Sequence, residues 1–482
     1  MKKYSFIILI TLILGVFFFL NKALADVPVL NQKEVADLAK PSVVKIIQHV
    51  KGEAVVPEIN VDFKNFQVTA KNDVSPKTIQ VDEYLTGTGI ILSPDGYILT
   101  NSHVISYQTI KNLIVSDFIY SAIESGYVNL GEAEAKKLSE NHSPEEMADF
   151  GKNIADYMLA QSKFNLEKTL TVLNPTSQKE TLEELVSDGF LATVISVNDN
   201  FYRDSRDAAL LQIDQLNLPS IGMNPVEETS TGKKVYIFGY PATAEVSEKD
   251  ILVPTFTQGT ISATKDSLNK DFKILQTDAK ISRGSSGGPL LNENGQVIGL
   301  VTFITSDFVK QDGDSFAFAI PIGVALDIIK NNKVAGELLP IFEAGTYNKY
   351  FLTGIGFLHN NQCKKALEEF GLAKKVNGNF PVIGFLEPYV KQCESIINAG
   401  NSIDTAWSTF RNKLNDTKFL ISFIAIVMLI LIGVSFALWY WFFRKMKRDA
   451  KELDNVEKYL HLNLEDGTPF APRNDRRKKD NE

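Results

Sequence analysis

The stretch Ile281-Ser-Arg-Gly-Ser-Ser-Gly-Gly-Pro-Leu290 constrains this chain more than any other. It lies between two apolar runs, Phe272–Leu275 before it and Gln296–Phe303 after it, with the turn dipeptide Asn294-Gly295 in between. Three glycines and a proline within seven residues rule out a helix interior and a regular strand, and leave a tight turn between strands. A serine that attacks a carbonyl needs such a turn. Glycines admit the substrate closely, and successive N–H groups can converge on the oxyanion that forms. Ser286 is the candidate nucleophile, with the Gly284 and Ser286 N–H groups as the oxyanion-hole donors. The plain alternative is a surface turn with solvated hydroxyls.

The same letters match G-x-S-x-G, the nucleophile elbow of α/β-hydrolases. That elbow feeds a helix and takes its histidine downstream. Here Pro289 and a hairpin pattern follow, and the only later histidines are His359 and His461. Upstream, Gly87-Thr-Gly-Ile-Ile-Leu-Ser-Pro-Asp-Gly-Tyr-Ile-Leu-Thr-Asn-Ser-His103-Val reads as a β-hairpin turning at Pro94-Asp95-Gly96, with His103 just past its second strand. Between the two lies Asp207-Ala-Ala-Leu-Leu-Gln-Ile213, an acid entering an apolar strand. Asp204 is the rival acid. Asp207 is preferred because an acid that orients an imidazole must be buried and fixed, which a strand start provides better than a loop, and Asp204 reads as a solvated charge.

The order His, Asp, Ser is that of chymotrypsin-type proteases. Together with Thr277-Asp278-Ala279 ahead of the serine segment, the three motifs resemble the HtrA/Deg branch of trypsin-like serine proteases. The resemblance implies a mainly β, chymotrypsin-like protease domain of two antiparallel barrels over residues 33–332. Pro41-Ser-Val-Val-Lys-Ile-Ile47 would be its first strand and Ile322–Lys330 its closing helix. It implies a serine endopeptidase with His103, Asp207 and Ser286 as triad and protein or peptide substrates, acting in quality control or stress response. No cofactor or metal is implied. Substrate would add as a strand along Thr302, Phe303 and Ile304, with Ile304 walling the first pocket. Lys280 and Arg283 stand where the family has small residues or proline, and either favour acidic groups or face water. A homo-oligomer is common in the family. The alternative is a latent or inactive protease-fold receptor or chaperone for exported proteins.

Two departures are visible. After His103 come about sixty residues, roughly 106–166, with helical periodicity over Tyr107–Ile123 and Glu145–Leu159 and a capping box at Ser143-Pro-Glu-Glu146. His142, just before that cap, reads as a surface residue. This insertion is a candidate lid or partner-docking element. Residues 51–80 read as an extended polar loop. Beyond the protease, where relatives carry PDZ domains, residues 340–407 read as helices over Tyr350–His359, Gln362–Leu372 and Pro381–Ile397. They resemble one tetratricopeptide (TPR) helix pair plus a helix, a candidate partner-binding module with His359 on its apolar face. Cys363 and Cys393, the only cysteines, fall on adjacent helices and can pair in an oxidising compartment. Neither has metal-ligand spacing around it.

The ends set the compartment. Met1-Lys-Lys, the apolar run Phe6–Leu20 and Ala23-Leu-Ala25 form a signal-peptide pattern over residues 1–25, with an uncleaved anchor as the alternative. Phe419–Phe443 is uncharged and long enough to span a bilayer, and Arg444-Lys-Met-Lys-Arg448 follows. That basic flank puts the tail, 444–482, in the cytoplasm and the protease outside, on a single-pass protein of the cell or inner membrane. The tail itself, mixed in charge and poor in apolar residues near its end, is expected to be disordered. A net charge of −8 carries no footprint for nucleic acid.

Overall fold

The computed structural model describes residues 28–62, 65–71, 73–124, 142–225, 230–302, 317–330, 346–376, 382–404, 414 and 417–465. The signal-like segment 1–25, Phe303 and Ile304 lie outside them.

Runs of β-branched residues broken by turn residues give the first half its strands. These are β1 (Val43–Val56), β2 (Ile59–Asp62), β3 (Gln67–Ala70), β4 (Lys77–Ile91), β5 (Tyr97–Thr100), β6 (Lys163–Val172), β7 (Phe190–Val197) and β8 (Ala209–Ile213). Six of them close a barrel in the order β1-β4-β5-β8-β7-β6. Ile46, Ile91, Ile98, Leu211 and Ile213 fill its interior. Along the first half of β1 nearly every residue is buried, because the outer face is covered as well as the inner one.

The outer end of this barrel differs from the expectation. Residues 51–80 are not a loop: β1 and β4 pair in continuous register from Val43↔Ile90 to Val56↔Lys77, and β6 joins β1 as far as Val55↔Lys163. The three strands form a ribbon that leaves the barrel, with the hairpin β2–β3 beyond it. The insertion helices Tyr107–Glu124 and Pro144–Gln161 cover the ribbon, Ile110, Ile114, Val115 and Met158 packing on Val50, Ala54, Val56 and Val81. The insertion helices therefore end at Gln161, two residues before β6 begins at Lys163 and five residues earlier than expected. The Ser143/Glu146 capping box forms as read, and His142 sits beside it against the Phe66 ring.

The second barrel comprises β9 (Lys234–Gly239), β10 (Thr255–Asp266), β11 (Lys273–Thr277), β12 (Pro289–Leu291), β13 (Val297–Thr302) and β14 (Ala317–Pro321), closed in the order β10-β11-β14-β13-β12-β9. Val235, Ile237, Ile261, Leu275, Leu290 and Val301 form its core. The helix Ile322–Lys330 follows β14 directly.

Helices Thr346–His359, Cys363–Ala373 and Val382–Asn398 follow. Tyr347, Phe351, Phe370 and Tyr389 make their core, and one continuous cluster links these rings to Val35 and Leu38 of the N-terminal helix Gln32–Ala39 and to Tyr236, Phe238 and Leu291 of the second barrel. The Tyr389 hydroxyl donates to Asp37 Oδ2 at 2.7 Å, and His359 Nε2 lies 2.8 Å from Glu34 Oε1. His359 is thus not a core residue; it is more than a third exposed and pairs with an acid of the N-terminal helix. Cys363 and Cys393 are both fully buried free thiols. Burial, then a hydrogen bond with Cys363, pushes the Cys393 thiol up to about 12.

A second compact unit, Thr405–Glu482, contains the 49-residue helix Thr417–Glu465. It is long and apolar enough to cross a membrane, and its apolar side chains from Leu420 to Phe443 are exposed. The helix continues through the basic cluster to Glu465, so the first half of the expected disordered tail is helical; Lys, Arg, Glu and Leu there are good helix formers on an existing nucleus.

Candidate active site

The turn Ser205–Ala208 presents Asp207 just ahead of β8, and the end of β5 is tied to it. Asn101 Nδ2 donates to the Asp207 carbonyl at 2.6 Å, and Ser102 Oγ donates to the Ala208 carbonyl at 2.7 Å. The next residue is His103, in a short helix Ser102–Ile105. Its Nδ1 lies 2.5 Å from Asp207 Oδ2, and its backbone N–H donates to Oδ1 at 3.0 Å. A third donor comes from the other barrel: Thr302 Oγ1, at the end of β13, donates to Asp207 Oδ2 at 2.6 Å.

Asp207 is only 4 % exposed. Burial pushes its carboxyl up, but the His103 charge and hydrogen bond, the Thr302 hydroxyl and the His103 N–H outweigh that and hold it below the usual carboxylate range. An ionised carboxylate only accepts, so His103 Nδ1 is the donor and carries a proton. Asp204 has a different task. It accepts from Asn198 Nδ2 and from the Arg206 N–H, so it is half-buried and shapes the turn, not the free solvated charge expected.

Ser286 lies on the turn between β11 and β12, and Thr88 of β4 clamps that turn from the first barrel. The Thr88 N–H donates to the Ser286 carbonyl at 2.8 Å, its Oγ1 donates to the Gly284 carbonyl at 2.7 Å, and it accepts from the Tyr240 N–H at 3.0 Å. Gly287 has φ +86°, and a Cβ there would sit 2.1 Å from the Thr88 carbonyl, 2.4 Å from Thr100 Oγ1 and 3.2 Å from the Asn101 nitrogen. The serine turn is thereby pressed onto the segment that ends in His103. Only glycine fits.

The Arg283 carbonyl accepts from the Ala242 N–H at 2.9 Å. In a trans peptide C=O and N–H point in opposite directions, so this bond turns the Gly284 N–H away from Ala242. Among the described residues no carbonyl accepts from the Gly284 or Ser286 N–H. An imidazole oriented by a buried carboxylate, a serine on a glycine turn and two N–H groups without a carbonyl partner among the described residues suit acyl transfer.

The structure thus brings together His103, Asp207 and the Ser286 turn. Thr302, expected along the substrate strand, has its side chain fully buried against Asp207. Lys280 and Arg283 are exposed on the serine loop. Thr88 escaped the sequence reading, although the Gly87-Thr-Gly signal was in view. Nothing in the sequence indicates the roles of Ala242 and Thr302.

Residues 87–300 match the family model of the trypsin-like peptidase domain. A probable periplasmic serine endoprotease, DegP-like, of Pseudomonas putida is 36 % identical over 135 residues, 27 % of this chain and 26 % of that protein. The serine endoprotease DegS of Haemophilus influenzae is 25 % identical over 286 residues, 58 % of each chain. The match therefore spans about a quarter of the DegP-like relative and just over half of DegS. Among solved structures, the HtrA-type protease AlgW with a decapeptide aligns at 21 % identity and a TM-score of 0.33, over 63 % of this chain and 68 % of that one. With its two closed six-stranded barrels and the trypsin-like peptidase match over residues 87–300, this chain is similar to serine endoproteases of the HtrA/Deg type.

Proposed function

We propose that this chain is a membrane-anchored serine endopeptidase acting on exported proteins in quality control or stress response. The observation that carries the reading is the buried Asp207, which accepts from His103 and Thr302. His103 Nε2 takes the Ser286 proton as Oγ attacks the scissile carbonyl. Asp207 steadies the resulting imidazolium, which then protonates the leaving amine. The Gly284 and Ser286 N–H groups meet the oxyanion of the tetrahedral intermediate. Water repeats the cycle to release the acyl group. A peptide would approach along β13 towards Phe303 and Ile304.

The helix Thr417–Glu465 anchors the chain, and the Arg444–Arg448 cluster keeps the tail cytoplasmic and the barrels outside. In that oxidising compartment Cys363 and Cys393 close a disulfide, each losing its thiol proton and the pair losing two electrons to a disulfide-donating oxidoreductase. The insertion helices or the C-terminal helices offer a surface to a protein partner.

The test is labelling of the full-length chain in detergent with a fluorophosphonate, beside Ser286→Ala. Covalent labelling of the wild type that vanishes in the variant is expected. A folded wild type that takes no label would replace the enzyme with a binding scaffold.

A further inference from the structure

Lys45 lies within the apolar run Val43-Val-Lys-Ile-Ile47 on the outer face of β1 and is 3 % exposed. A lysine is seldom buried so fully without a partner. Its Nζ is 2.5 Å from Glu245 Oε1, a carboxylate with a side-chain exposure of 24 %. An apolar side chain of similar volume would serve packing as well or better, so the ion pair needs a reason other than stability.

Glu245 belongs to the strap 240–254, which leaves β9, crosses to the first barrel and returns as β10. The far part of the strap is held by packing, Ile251 and Leu252 lying against Ile47, Leu173 and Leu185. The near part is held by Glu245. Between β9 and Glu245 the chain makes one tight helical turn, Ala242–Ala244, with Ala244 N–H on the Pro241 carbonyl and Glu245 N–H on the Ala242 carbonyl. The first residue of that turn, Ala242, donates the hydrogen bond that fixes the Arg283 carbonyl. Thr243 and Ser282 add a hydroxyl contact of 2.7 Å between the same two segments.

We propose that the Lys45–Glu245 ion pair positions the oxyanion hole, holding the Ala242 turn against the 283–284 peptide so that Gly284 N–H faces the substrate. Lys45 and Glu245 are positioning residues; neither is hydrogen-bonded to His103 or Asp207. Without the pair the turn can drift, the Arg283 carbonyl loses its donor, and the 283–284 peptide is free to rotate its carbonyl into the place of the N–H. The inference rests on the serine-hydrolase reading above.

The experiment compares the full-length wild type with the double variant Lys45→Met/Glu245→Gln, which removes both charges and strands neither; Glu245→Gln alone leaves a buried lysine unpaired and is the harsher companion. The readouts are fluorophosphonate labelling rate, kcat and KM on a casein-derived peptide, thermal midpoint, and amide exchange over residues 282–288. The double variant is expected to keep its thermal midpoint and KM, to lose at least tenfold in labelling rate and kcat, and to exchange faster at Gly284. Labelling at the wild-type rate overturns the proposal and leaves the hydrolase reading standing. A slow rate explained by loss of folded protein assigns the pair to stability and also overturns it. A folded wild type that itself takes no label overturns both.

Discussion

At Asp207 three donors meet one buried carboxylate, and two of them come from the histidine it serves. Asp207→Asn keeps the shape but presents an amide that can donate to Nδ1, so His103 holds the wrong tautomer; kcat should fall by about 10⁴ while folding survives. Steady-state kinetics beside a thermal melt check this. Thr302→Val removes a hydrogen bond to a charged group, worth roughly 1.5–3 kcal/mol, and should lower kcat about tenfold with KM unchanged. The folded carboxyl is held below its ordinary value. Its stabilisation is therefore complete above the unfolded pKa of about 3.9 and is lost as pH falls through the folded value. The stability gap between wild type and Asp207→Asn should shrink when urea unfolding is repeated below about pH 4. A gap that stays constant would mean the carboxylate is not the group at work. The pairing of His103 with Asp207 and the tight Ser286 turn were legible because fixed letters surround each. The roles of Thr88 and Thr302 were not, since a threonine in a strand reads the same whether its hydroxyl meets solvent, a neighbouring carbonyl or a buried carboxylate.

Between neighbouring elements the readable features were those with local causes. The insertion helices show their periodicity and their Ser143/Glu146 cap in the letters, and both formed. The ribbon of β1, β4 and β6 did not show, because Val50, Ala54, Val56 and Val81 gain their apolar environment only when Ile110, Val115 and Met158 fold onto them. Strand preference of this kind depends on what covers the face. Ile110→Ala should therefore cost about 2–5 kcal/mol and speed amide exchange in the Val50–Val56 half of β1, leaving Ile46 and Ile98 in the barrel protected. Uniform exchange along β1 would show that the ribbon does not depend on the helices. The same logic explains the tail. Residues 444–465, rich in charge, extend a helix already nucleated by the span before them.

Across the protease unit, the C-terminal helices close the core that the N-terminal helix opens. Phe351 touches Tyr347, Phe370 and Tyr389, and the cluster they share runs into the second barrel. Phe351→Ala should cost about 3–5 kcal/mol and lower the melting temperature of the peptidase itself, in a single calorimetric transition. Two separate transitions would mean that the helices fold apart from the barrels. The sequence located these helices within a few residues but read them as a separate module, because Val35 and Leu38, which they cover, lie at the other end of the chain. Glu34 and His359 are 325 positions apart, and Asp37 and Tyr389 are 352 apart. That separation sets a clock. A chain made from its N-terminus at about 5–20 residues per second has its first helix waiting on the order of half a minute before its partners exist. A stalled or truncated product leaves the seam at Val35 and Leu38 open, so the last helices to arrive report that the peptidase has been made in full.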